Sequence, residues 1–142
     1  MAHRQGSDSS CVLVHEDGTF HFEHERPKQV LVFEGTLSED RLAALNSMLN
    51  SDQFRRLLPE AVAIDLRPSG LDELTLSVPR QDQWVSLRFV SGLANDHVQP
   101  LLDQFLRWKS SVLRSPHRKV REESGRNNCL PAARIELKTR QQ

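Results

Sequence analysis

The sequence predicts an α+β domain: an antiparallel sheet of five to six strands built on two hairpins, with two main helices packed on one face. Three observations carry this. Residues 71–90 alternate apolar and polar on both sides of a polar turn, residues 11–25 set runs rich in Val, Leu and Phe on either side of Asp17-Gly18, and two amphipathic stretches open near Ser38 and Asp96 with helix-start residues. A chain of 142 residues has the length of one domain and can bury roughly two thirds of its unfolded surface without a metal or a partner.

The hairpin in residues 71–90 has the clearest pattern. Leu74, Leu76 and Val78 alternate with Glu73, Thr75 and Ser77, and Val85, Leu87 and Phe89 alternate with Trp84, Ser86 and Arg88. With Arg80 opposite Gln83, the register sets Val78 beside Val85, Leu76 beside Leu87 and Leu74 beside Phe89, so the large apolar side chains share a face. The opposite face carries Thr75, Ser77, Ser86 and Arg88, with Trp84 beside them.

In chain order, residues 1–10 are polar and are expected to be disordered, residues 11–116 form the domain, and residues 117–142 form a basic, partly mobile tail. In that tail Ile135 and Leu137 have the spacing of one edge strand. Reading Asp17-Gly18 as a two-residue type I′ turn pairs His15 with Phe20 and Leu13 with Phe22, which makes Leu13, Phe20 and Phe22 core candidates. Val12, Val14, His21 and Glu23 then fall on the other face. Residues 29–34 are apolar on both parities, as a strand buried on both faces would be, and complete a three-stranded meander. Thr36-Leu37-Ser38-Glu39 has the form of a capping box, followed by the stripe Leu42, Leu45, Met48 and Leu49. A short helix with Phe54, Leu57 and Leu58 stops at Pro59, and Val62, Ile64 and Leu66 suit a short strand. The last helix is capped at Asn95 or Asp96 and presents Val98, Leu101, Leu102, Phe105, Leu106, Trp108, Val112 and Leu113.

Charge excludes little by itself, since 19 Lys and Arg balance 19 Asp and Glu. The tail holds seven Lys or Arg against three Glu, but no aromatic residue is interleaved for stacking on bases, so it reads as a solvated segment rather than a nucleic-acid site. No apolar run reaches the roughly 18 residues of a membrane span, and residues 1–10 are too polar for a signal peptide.

His15, His21, Glu23 and His24 invite a metal site, but the expected parity puts His15 and His24 on one face and His21 and Glu23 on the other. The six glycines are isolated, which leaves no phosphate-binding loop or dinucleotide fingerprint, and no serine sits in a G-x-S-x-G elbow. No catalytic, cofactor-binding or metal residue is therefore assigned, and no cofactor. The polar face with Thr75, Trp84, Ser86 and Arg88 is the candidate interaction surface, with another protein as the expected partner.

The order of an apolar strand, Asp17-Gly18-Thr19, an aromatic strand, and Phe33-Glu34-Gly35-Thr36-Leu37-Ser38-Glu39-Asp40 leading into a Leu-rich helix resembles the opening of small bacterial proteins of unknown function, often exported. The resemblance covers residues 11–58 and implies an exported α+β domain; it brings no catalytic residue. Cys11 and Cys129 have two readings: unrelated thiols of a cytoplasmic protein, or a disulfide tying the tail to the first strand of a periplasmic or secreted one whose signal peptide has been removed. The expected function is a non-enzymatic binding or structural module of the bacterial cell envelope. Its rival is a hydrolase or metal enzyme assembled from distant residues such as His15, Asp65, His97 and Asp103.

Overall fold

The computed structural model describes residues 1–57, 73–90, 98–121 and 129. Among the described residues, seven strands and three helices follow in the order β1 (Ala2–Gln5), β2 (Asp8–Val14), β3 (Thr19–Arg26), β4 (Gln29–Thr36), α1 (Glu39–Leu49), α2 (Asp52–Arg55), β5 (Glu73–Arg80), β6 (Gln83–Val90), α3 (Gln99–Ser111), a 3-10 turn (Val112–Arg114) and β7 (His117–Val120). The strands form one antiparallel sheet of order β6-β5-β1-β2-β3-β4-β7. The fold is thus α+β, with more strands than the five or six expected. Val62, Ile64, Leu66, the caps Asn95 and Asp96, and Ile135 with Leu137 lie outside the described residues.

Two of the extra strands come from segments expected to be disordered or mobile. Residues 2–5 pair with β2 on one side and β5 on the other, so the polar N-terminal stretch joins the two hairpins into one sheet. Residues 117–120 pair with β4. Both strands are mostly exposed; main-chain hydrogen bonds rather than apolar side chains hold them, and period-two patterning does not register such strands.

The β5–β6 register is the expected one: Val78 faces Val85, Leu76 faces Leu87 and Leu74 faces Phe89. Gln81 (φ 50) and Asp82 (φ 64) both take the left-handed conformation of a type I′ turn. The β2–β3 register is shifted by one residue from expectation. Val14 pairs with Phe20 and Val12 with Phe22, because the loop has three residues rather than two: Gly18 N–H donates to His15 O, His15 N–H donates to Thr19 O, and Gly18 sits at φ 86. This is a type I turn closed by a glycine bulge. The Asp17 carboxylate accepts from both the amide and the hydroxyl of Thr19, which holds its pKa below the usual value. One residue of slip moves Val12 into the core and Leu13 out of it.

The core lies between the sheet and the helices. Val12, Phe20, Phe22, Leu74, Leu76, Val78, Leu87 and Phe89 meet Leu45, Phe54, Val98, Leu102, Phe105, Trp108 and Val112. α3 provides most of the cover, while α1 buries only Leu45. The indole N–H of Trp108 donates to Arg41 O at 2.8 Å and links the two helices. Arg80 bonds the carbonyls of Phe54 and Leu57, fastening α2 to β5. The expected capping box of α1 does not form. Ser38 stands at the N-cap without a side-chain cap bond, and its hydroxyl instead accepts from Arg41 Nη1.

Gly35 is where β7 presses closest on β4. A Cβ there would lie 2.2 Å from Pro116 O and 2.8 Å from His117 Cα, both main-chain atoms that cannot step aside. Gly35→Ala is expected to cost about 1–3 kcal/mol and to expose the Thr36 amide, which donates to Pro116 O. Urea denaturation and amide exchange at Thr36 check this; an unchanged midpoint with a protected amide would refute the close approach.

Candidate functional site

Strand register brings one polar cluster together on the sheet face opposite the helices. Pairing sets Cys11 beside Glu23, and His21 beside Glu34. His21 and Glu23 are both buried, at 5% and 7% exposure. His21 Nε2 lies 3.1 Å from Glu23 Oε2 and Nδ1 lies 3.5 Å from Glu34 Oε1, while Arg118 Nη2 is 3.6 Å from Glu34 Oε2. Carboxylates only accept, so Nε2 donates to Glu23 when it carries the proton, and Glu34 stands at ion-pair distance from Nδ1. The expected pairing of His21 with Glu23 on one face therefore holds, but Glu34 and Cys11 join them through neighbouring strands. His24 falls on the helix face with Phe22, and His15 is exposed beside the loop.

Cys11 and Cys129 are joined in a disulfide, with 6.0 Å between their Cα atoms. Cys11 Sγ lies 3.8 Å from Glu23 Oε2; bonded to Cys129, it has no hydrogen to donate. Among the described residues, Cys11, Glu23 and Cys129 are the one set of three metal-binding side chains whose ligand atoms converge, all within 4.8 Å of one another.

A cavity of about 600 Å³ runs along this cluster. On the face opposite the helices it is bordered by Cys11, Glu23 and Cys129 and by Thr75, Trp84 and Arg88; on the helix side Leu45, Leu49, Phe105 and Trp108 line it. It passes beside Met1, just before the first residue of β1, where β2 and β5 run on past β1 to Val14 and Arg80. The surface residues named from the sequence thus form one group. Arg88 pairs across the strands with Thr75, and Trp84 with Pro79. Ser86 Oγ meets Ser77 Oγ at 3.1 Å, and the Arg88 guanidinium holds Glu73 Oε1 through Nε at 2.9 Å and Nη2 at 2.6 Å.

A second polar group lies under α3 and was not foreseen. The Lys109 ammonium bonds Ser10 Oγ and sits 5.1 Å over the Phe22 ring, and the residue is 5% exposed. Ser10 is flanked in register by His3 and His24. Burial, then the nearby charges of Arg26 and Lys109, push His24 below its usual pKa. The signal for Lys109 was present in its spacing: it stands four residues after Phe105 and three before Val112, on the stripe that faces the core. Of the rival set, Asp103 is exposed and accepts from Gln99 on its own helix, and Asp65 and His97 lie outside the described residues.

Burial drives Lys109 from the usual 10.5 down to about 8. Below pH 8 both folded and unfolded chains hold the proton and the cost of burying it is complete. Between 8 and 10.5 the unfolded chain is protonated and the folded one is not, so stability rises with pH; above 10.5 the cost is gone. The difference corresponds to about 3 kcal/mol. Lys109→Met is therefore expected to be more stable than the parent by up to this amount at neutral pH, with the gap closing as pH rises through that window. Paired denaturation curves at several pH values test it, and a gap independent of pH would refute it.

No protein-family model, curated protein or solved structure matches this chain.

Proposed function

We propose that this chain is a non-enzymatic binding module of the bacterial cell envelope, which takes a small amphipathic ligand into the cavity from the face that carries Thr75, Trp84 and Arg88. The observation that supports it is the cavity itself: an apolar interior at Leu45, Leu49 and Phe105, with a few polar side chains along it, Thr75 and Arg88 on one face of the sheet and Ser10 on the other, is the common form of a small-molecule site. A location outside the cytoplasm is supported by the disulfide, which persists in oxidising compartments, and by the resemblance of residues 11–58 to exported bacterial proteins. Trp84 and Trp108 both line the cavity, so binding has an internal reporter. Titration with a medium-chain fatty acid or a fluorescent naphthalene sulfonate is expected to change tryptophan emission saturably at one site and to raise Tm. Leu49→Trp, which fills the apolar end, should abolish both changes. Unchanged emission and Tm with both probes would refute the reading.

One observation favours a hydrolase instead. Ser10 lines the cavity, and its hydroxyl bonds a lysine that burial holds at about 8, the pairing of nucleophile and base in serine–lysine acyl transfer. Covalent labelling by a fluorophosphonate, rising from pH 7 to pH 9 and lost in Ser10→Ala, would establish this reading over the first. Absence of labelling removes it.

A further inference from the structure

We propose that Cys11, Cys129 and Glu23 form a redox-gated zinc site, closed as a disulfide in the oxidised protein and able to take one Zn²⁺ when the two sulfurs are reduced. Three features lead to it. The two sulfurs and a carboxylate oxygen of Glu23 lie within 4.8 Å of one another. The 3.8 Å between Cys11 Sγ and Glu23 Oε2 is close to the sulfur–oxygen edge of a zinc tetrahedron, about 3.5 Å for the usual bond lengths. Glu23 is itself 7% exposed and held in place by His21 at 3.1 Å, so the carboxylate is buried, oriented and backed by a partner, as outer partners of metal ligands are.

The chemistry balances with a dithiol as reductant. It supplies two electrons and two protons, its own sulfurs close to a cyclic disulfide, and Cys11 and Cys129 become thiols. Zn²⁺ then displaces both thiol protons to solvent, and the sulfurs part to about 3.8 Å, the edge of the same tetrahedron. Two thiolates and one carboxylate around Zn²⁺ leave a net charge of −1, beside the imidazole of His21. Three protein ligands leave a fourth position open. All three ligands line the cavity, so that position is open to a molecule bound there; the metal site itself does not depend on what the cavity binds. A surface that holds a disulfide under oxidising conditions and a soft metal under reducing ones gives a single site two states, selected by the thiol–disulfide balance of its surroundings.

The test uses the full chain, reduced with a phosphine under anaerobic conditions, freed of reductant and mixed with one equivalent of Zn²⁺ or Co²⁺. After gel filtration, one metal per chain is expected in the reduced protein and none in the oxidised protein. Co²⁺ should give the charge-transfer absorption of thiolate ligation and the strong visible bands of a tetrahedral centre. Cys11→Ser and Cys129→Ser should lose the metal. Glu23→Gln should weaken binding at least tenfold while still forming the disulfide, and Glu25→Gln, an exposed neighbour, should bind as the parent does. If reduction unfolds the chain, Zn²⁺ is expected to restore its near-ultraviolet circular dichroism. No stoichiometric metal in a reduced, folded protein overturns the proposal, as does a reduced, unfolded protein that Zn²⁺ fails to refold. Equal affinity in Glu23→Gln overturns it too.

Discussion

Leu87→Asp is expected to abolish the folded state, the largest effect of any single substitution in the sheet. Leu87 is 0% exposed, faces Leu76 across the β5–β6 ladder and sits in the core with Phe89. Losing its burial removes about 1.5–3 kcal/mol. A carboxyl group in the same place adds a desolvation cost of several kcal/mol, because its surroundings are apolar. Together these approach the roughly 5–15 kcal/mol that holds a domain of this kind. The neighbouring residue provides the control: Ser86 points to the other face, where its hydroxyl meets Ser77, and Ser86→Asp should stay within about 1 kcal/mol of the parent. Far-ultraviolet circular dichroism and thermal melts of the two variants test the parity of the strand directly. A cooperative melt near the parental Tm for Leu87→Asp would show that its side chain does not face the core.

The same hairpin shows why part of the fold is readable from sequence. Six apolar residues at period two leave one register that gathers them on one face, and this decides the pairing even though its turn, Gln81-Asp82, lacks a glycine. At Asp17-Gly18 the turn residues point to a two-residue loop, but the flanking positions do not arbitrate. Val12, Leu13 and Val14 are apolar on both parities, so a two-residue and a three-residue loop give equally plausible faces. The structure takes the three-residue form with Gly18 as the bulge. β1 and β7 were out of reach for a different reason. Their pairing is made by main-chain groups that every residue possesses, and a polar strand, between two others like β1 or at the sheet edge like β7, carries no apolar period.

The candidate site was legible to the same limit. His21 and Glu23 are two residues apart on one strand and must share a face whatever the register. Glu34 and Cys11 enter only once the pairings of β2, β3 and β4 are known, and Cys129 only once the disulfide is formed. Lys109 and Ser10 are 99 residues apart; the helix stripe marks Lys109 as inward-facing, but nothing local indicates which strand residue it will meet.

Removal of the disulfide is the second change of large expected effect. Cys11 and Cys129 are separated by 118 residues, so the bond closes nearly the whole described chain into one loop. In the chain-entropy treatment a loop of that length restricts the unfolded ensemble by about 4–5 kcal/mol, less where the unfolded chain is compact. The bond also anchors residue 129 against β2 and beside buried Glu23, so its loss loosens the cover over that carboxylate as well as enlarging the unfolded ensemble. Urea denaturation of the oxidised protein, the reduced protein and the Cys11→Ser/Cys129→Ser double variant, all with a chelator present to exclude metal, should give a midpoint lowered by the same amount in the second and third cases. Intact-mass measurement after alkylation without reductant should show no modified cysteine in the oxidised sample and two after reduction. Two thiols freely alkylated at the outset, or a midpoint indifferent to reduction, would remove the bridge as a source of stability and with it the physical argument for an oxidising compartment.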